Sequence, residues 1–254
     1  MFRFFILIIS FFYSSNSFSY WQQKVKYDIS IDFNHQDHQF NGKQKLIYFN
    51  NSNDTINKVF FHLYFNAFQP GSMMDVRSRS LPDPDRRVLD RISKLNQNEI
   101  GFHKIKNFEQ DGVNLNFKIQ GTVMEVVLDR GILPKDSTEF NLEFFSQVPT
   151  QIRRSDRNNS EGIDYSMAQW FPKIAEYDKN GWHTTPYIAR EFYAPWGDFD
   201  VKILIDKKYT VAATGILKSK SKEKNKILWN FKANNVHDFV WAARSEEHTS
   251  ELQS

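Results

Sequence analysis

Residues Gly162–Asp200 read GIDYSMAQWFPKIAEYDKNGWHTTPYIAREFYAPWGDFD, and this run decides how the chain is interpreted. It combines Trp170, Trp182 and Trp196 with five tyrosines or phenylalanines between Tyr177 and Phe199. Pro172, Pro186 and Pro195 interrupt it, and Gly181 and Gly197 offer turn points. Apolar residues show no helical period across it. Backbone of this kind, stiffened by proline and braced by large rings, suits a surface held in place rather than a hinge.

On both sides of that run the apolar residues alternate. Lys24–Phe33 (KVKYDISIDF) places Val25, Tyr27, Ile29, Ile31 and Phe33 on one side, the period of a half-buried strand. Lys43–Phe49 follows an expected turn at Asn41-Gly42, and Lys58–Phe65 follows the turn cluster Asn50–Asn57. Further strands are expected at Gly101–Phe108, Val113–Ile119, Thr122–Leu128, Thr138–Phe145, Ile163–Phe171, Phe199–Ile205, Thr210–Ala213, Lys226–Ala233 and Asp238–Ala243. One helix is expected from about Pro84 to Asn96. Asp83 would cap it, and Val88, Leu89, Ile92 and Leu95 would share one face. A dozen strands without strand–helix alternation predict an all-β fold, a large antiparallel β-sandwich with one short helix.

The two ends read differently. Arg3 followed by Phe4–Phe12 (FFILIISFF) and by Ser17-Phe18-Ser19 has the form of a signal peptide, with cleavage expected after Ser19. Export to a periplasm, an outer surface or the extracellular space is therefore expected, with no membrane span in the mature chain. At the other end, Arg244–Ser254 (RSEEHTSELQS) departs abruptly from the aromatic run before it. It resembles an in-frame translation of a sequencing-adapter oligonucleotide, so the domain proper is expected to cover residues 20–243.

Composition excludes several chemistries. Without cysteine, the sequence has no thiolate zinc site, no disulfide and no cysteine nucleophile. The formal net charge is +3, and the basic residues are scattered except in Lys218–Lys226 (KSKSKEKNK). That stretch reads as a solvated hairpin tip, and nothing resembles the focused basic face that nucleic acid requires. His35 and His38 fall in a polar turn; on a strand they would point to opposite faces. His62 and His103 read as hydrogen-bonded strand residues, and His183 as structural. No H-E-x-x-H, G-x-S-x-G, G-x-G-x-x-G or P-loop motif occurs. No catalytic residue and no metal ligand is assigned.

Three groups of residues nevertheless resemble one family. Tyr20-Trp21-Gln22-Gln23 leads into KVKYDISIDF; Phe61-His62-Leu63-Tyr64 precedes Asn66-Ala67-Phe68. Gly162–Phe199 carries WFPKIAEYD, GWHT and REFY, and VHDFVWAA closes the pattern at Val236–Ala243. Together they resemble the N-terminal β domain of peptidase family M1, the aminopeptidase N and leukotriene hydrolase group of zinc metallopeptidases. The resemblance implies a saddle-shaped β domain that caps a catalytic domain whose zinc motif lies beyond VHDFVWAA. Zinc is thus expected in the complete protein and not in these residues, which alone would be inactive.

In such a protein the β domain helps to hold the free amino group of a peptide substrate. An ammonium offers only donors, so a carboxylate or amide acceptor is required. Glu161, Asp164 and Gln169 are the candidates before Phe171-Pro172. On a strand Ile163–Phe171, Gln169 would share a face with Ile163, Tyr165 and Met167, which favours Gln169 first and Glu161 second. Two other readings stay open. One is a free-standing exported β-sandwich that binds carbohydrate or peptide; the other is a metal-free family member acting as a binding protein.

Overall fold

The structure is a computed structural model that describes residues 20–82, 84–159, 161–189 and 192–245. The expected signal segment 1–19, the expected cap Asp83 and the tail 246–254 lie outside the described residues.

One eight-stranded sheet organises the molecule. From edge to edge it runs β16 (Ile216–Glu223), β17 (Lys226–Val236), β14 (Trp196–Asp206), β1 (Lys24–Asn34), β2 (Gln39–Phe49), β8 (Ser137–Gln147), β4 (Phe102–Gln110) and β5 (Val113–Asn114). The expected all-antiparallel arrangement does not hold. β1 and β14 run parallel, in register from Lys24 opposite Trp196 to Asp32 opposite Leu204. The sheet is therefore mixed, and its first strand joins the two halves of the chain.

Alternation sorts its two faces. Val25, Tyr27, Ile29, Ile31 and Phe33 of β1 are buried, as are Phe199, Val201, Ile203 and Ile205 of β14. The opposite face carries cross-strand ion pairs, including Lys43 with Glu143 at 3.1 Å and Lys232 with Asp200 at 2.8 Å. Such exposed pairs each contribute about 0–1 kcal/mol. Their larger effect is to keep this face in water.

Smaller sheets cover the apolar face. One has the order β11 (Lys173–Ile174), β3 (Ile56–His62), β7 (Val123–Ile132), β6 (Phe117–Gln120). A second runs β15 (Tyr209–Ala213), β18 (Trp241–Ser245), β10 (Tyr165–Met167), β9 (Asp156–Arg157). A short hairpin pairs β12 (Tyr177–Asp178) with β13 (Gly181–Trp182). Aromatic rings bridge the layers. Phe61 of β3 meets Phe108 and Phe140 edge-on, and Phe33 of β1 meets Tyr165 and Trp241. The core of the sandwich lies between them.

Several local expectations are corrected. Asn41-Gly42 lies inside β2, and the chain turns instead between Asn34 and Gln39. Gly42 serves close approach rather than a turn: a Cβ there would stand 2.3 Å from the Phe144 ring. The strand expected at Lys58–Phe65 gives way to a 3-10 turn at Tyr64–Ala67. Lys218–Lys226 is mostly strand: β16 runs through Glu223, and only the tip at Lys224-Asn225 is turn.

The helix is displaced. α1 spans Met73–Ser80, whereas Pro84–Asn96 forms turns and a single 3-10 turn at Ile92–Lys94. Leu89 has φ 42°, outside the right-handed helical region, and its side chain is exposed. Val88 and Ile92 are buried against Tyr64, Phe68 and Met74, so their spacing marks two anchors of an irregular segment. α1 starts where Ser72 Oγ accepts from Asp75 N, while Asp75 Oδ2 accepts from Gly71 N at 2.8 Å. That reciprocal cap closes two backbone donors at the helix entry.

Candidate functional site

Ile163–Phe171 is not one strand. β10 stops at Met167, and the chain turns with Gln169 at φ 50°. The alternation that would have set Gln169 beside Tyr165 and Met167 therefore breaks before it. Below the turn, Trp170 is fully buried, packed edge-on to Phe171, Phe40 and Trp241. Its indole N–H donates to Phe239 O at 3.0 Å. The turn is thus pinned to the segment that leads into β18.

Three polar groups converge on that segment. Gln169 Nε2 donates to Asp238 Oδ2 at 2.9 Å. Lys173 Nζ lies 3.2 Å from Asp238 Oδ1 and donates to His237 O at 2.9 Å. Phe239 N donates to Asp238 Oδ1 at 2.9 Å. Burial pulls the Lys173 ammonium below its ordinary range, opposed by the Asp238 carboxylate. A buried cation survives because a carboxylate and a carbonyl replace its water.

The consequence for Gln169 is a fixed orientation. Only the amide nitrogen can face a carboxylate, so the amide oxygen is turned away from Asp238. That oxygen has no hydrogen-bond donor among the described residues. What the site presents is therefore a neutral acceptor, held by a buried ion pair beneath it. Trp196, half exposed and edge-on to His237 at 5.8 Å, flanks the same segment.

Glu161 is placed elsewhere. It is exposed in the turn before β10, where Asn159 Oδ1 accepts from Glu161 N and Ile163 N. It stands at the opposite end of β10 from Gln169, so the two candidates do not share one contact. Its charge bears on Asp156, whose carboxyl is pushed up to about 6, chiefly by burial. Asp164 Oδ2 accepts from Ser245 N at 2.7 Å and is engaged in the backbone of β18.

A second polar cluster follows in the same run. His183 N donates to Glu176 O, and His183 Nε2 lies 2.9 Å from Asp178 Oδ2, which also accepts from Tyr193 OH at 3.3 Å. Burial, with the Asp178 charge added, pushes the Glu176 carboxyl up to about 7. Trp182 packs against Tyr48, Phe60 and Tyr177. The aromatic bracing expected of this stretch is present ring by ring.

Sequence reasoning missed the Lys173–Asp238 pair. The available signal was a lysine set directly after Trp170-Phe171-Pro172, a place where an unpaired charge would be costly. Three other histidines are engaged: His38 Nδ1 is 2.8 Å from Tyr165 OH, His62 Nε2 is 3.2 Å from His183 O, and His103 Nδ1 is 2.6 Å from Ser146 Oγ. Among the described residues no three His, Cys, Asp or Glu side chains stand close enough to hold a metal ion, so they do not fit a zinc site. No helix among them is long and apolar enough to cross a membrane.

No family model matches the sequence, and no curated protein is similar to it by sequence. Solved structures do match. A point mutant of the M1 zinc metallopeptidase from Deinococcus radiodurans superposes with a TM-score of 0.50 at 10% identity, covering 87% of this chain and 41% of that one. The chain has the fold of the N-terminal part of M1 zinc metallopeptidases. The same coverage and score hold for a mutant from that organism bound to a Tyr-Ser-Ala substrate. A two-domain M1 zinc metallopeptidase mutant bound to L-tryptophan matches at 10% identity and 0.50, over 87% of this chain and 42% of that one. The M1-like β domain thus spans about two fifths of the length of the structures it matches.

Proposed function

We propose that this M1-like β domain is the substrate-capping part of an exported zinc-dependent aminopeptidase, an enzyme that removes N-terminal residues from peptides. The fold match over 87% of the chain carries the reading. The zinc and the water it activates would be supplied by residues outside those described. Gln169 is the group this domain would offer to the substrate. Its amide oxygen is an acceptor of fixed direction, and a peptide ammonium brings only donors. The amide costs less to desolvate than a carboxylate, and the Lys173–Asp238 pair below holds it against rotation. Glu161, exposed and remote along β10, would act on the substrate at longer range through its charge. In this reading the domain alone neither binds zinc nor cleaves peptides.

Two measurements test the proposal. Genomic sequence continuing past codon 243 should encode H-E-x-x-H in frame; a stop codon there would favour a free-standing binding module. In the whole gene product, Gln169→Ala should raise KM for an aminoacyl reporter by roughly tenfold with a smaller change in kcat, as loss of a ground-state contact to the ammonium requires. An unchanged KM would remove Gln169 from the substrate site.

A further inference from the structure

α1 and the turns after it build a cavity that the aminopeptidase reading does not use. Its volume is about 680 Å³, within the range of small-molecule sites. None of Gln169, Lys173 and Asp238 lines it. Arg77 and Ser78 from the last turn of α1, Asp85 and Arg87 from the following turns, and Arg153 contribute its polar wall. Ile188 and Ala189 complete one side.

Charge in this wall is unbalanced. Asp85 is the one carboxylate among its described residues, and it is already shared. Arg87 holds it through Nε and Nη2 at 3.0 and 2.8 Å, and Arg153 Nη1 reaches it at 3.0 Å. Arg77 has no ion pair and donates no side-chain hydrogen bond among the described residues, and its side chain is exposed. Two further described carboxylates are engaged, Asp75 by Arg79 and Asp90 by Lys94. The carbonyl end of α1 opposes an anion, and the bonds that Arg77 O accepts from Leu81 N and Ser80 Oγ offset only part of that, so the guanidinium groups must outweigh it.

Two buried donors are unspent. The Arg153 side chain is only 5% exposed. It donates to Asp85 and to Ala189 O, yet its Nε has no partner. Ser78 Oγ is likewise buried and has no partner. A folded protein rarely buries a guanidinium N–H and a hydroxyl on one cavity without an acceptor for them. Guanidinium groups match the paired oxygens of phosphate and carboxylate, and a hydroxyl adds a further donor.

We propose that this cavity binds a small oxyanion, a phosphate or carboxylate group, through Arg77, Arg153 and Ser78. Arg77 would supply the free charge, and Arg153 Nε–H and Ser78 Oγ, both closed off from solvent without the anion, would turn toward it on binding. Arg87 and Asp85 would hold Arg153 in position. The site is independent of the peptide-binding reading, since it draws on α1 and its neighbours alone.

Isothermal titration of the chain with inorganic phosphate and, separately, with acetate tests this and tells a phosphoryl from a carboxyl preference. Titration with potassium chloride at equal ionic strength is the control. Saturable one-site binding of at least one oxyanion is expected, weakened roughly tenfold or more by Arg77→Ala and by Arg153→Lys, which removes the Nε donor. Ser78→Ala should weaken it less while leaving the anion-free melting temperature unchanged or higher. Because Arg77 is exposed and Ser78 Oγ has no partner to lose, both variants remain folded tests even if Arg153→Lys does not fold. Absence of saturation with both oxyanions, or equal affinity in wild type, Arg77→Ala and Ser78→Ala, would overturn the proposal.

Discussion

Glu176 shows how much one side chain can carry. It is buried in the aromatic run, and its carboxyl is pushed up to about 7 from an ordinary 4.5 by burial, with Asp178 adding repulsion. The folded state therefore holds this proton more tightly than the unfolded chain does. Its contribution to stability is complete below about pH 4.5 and is lost as the pH rises through about 7. Glu176→Gln should flatten that decline. Thermal melts of wild type and variant between pH 5 and 8 should diverge in slope, by at most about 3 kcal/mol across the range. Asp156 shifts in the same direction, to about 6, so part of the decline will survive in the variant. Gln169 and Lys173 show the opposite case, where polar groups in the same run are satisfied by one carboxylate and fixed by it.

Elements differ in how openly the sequence announces them. KVKYDISIDF alternates without a break, and β1 follows it almost to the residue. Ser72-Met73-Met74-Asp75 has the form of a capping box and α1 begins there, a signal that the expectation of a helix at Pro84–Asn96 passes over. Ser72→Ala should cost about 1 kcal/mol, measurable by chemical denaturation. Pro84–Asn96 misleads because Val88, Leu89, Ile92 and Leu95 have helical spacing, yet Leu89 turns outward with positive φ. Asn41-Gly42 misleads in another way. The dipeptide reads as a turn, but the glycine is there to admit the Phe144 ring across β2 and β8. Gly42→Ala should accordingly destabilise the chain by about 1–3 kcal/mol, seen as a lower denaturation midpoint with unchanged slope. The candidate site was legible only in its residue types. Gln169 could be named, but the carboxylate that orients it lies 69 positions away in sequence and leaves no local trace.

At the scale of the whole molecule, the parallel contact of β1 with β14 matters most. No periodicity reveals which of a dozen strands pair, or in which direction, when the partners are so far apart along the chain. β1 bonds to β2 on one side and to β14 on the other, so it closes the large sheet at its centre. A chain beginning at His35 should lose cooperative folding altogether, with no thermal transition in near-ultraviolet circular dichroism. A retained sharp transition would show that the two halves of the sheet are independent. β16, by contrast, sits at a margin. All eight of its residues are exposed, Lys218, Lys220 and Lys222 recur along it, and its register with β17 slips between Leu217 and Ser219. Its free hydrogen-bonding groups would otherwise invite another copy to continue the sheet. Like charges and an irregular border keep neighbouring molecules apart, so neutralising those lysines would convert a solubilising rim into a starting point for fibrils.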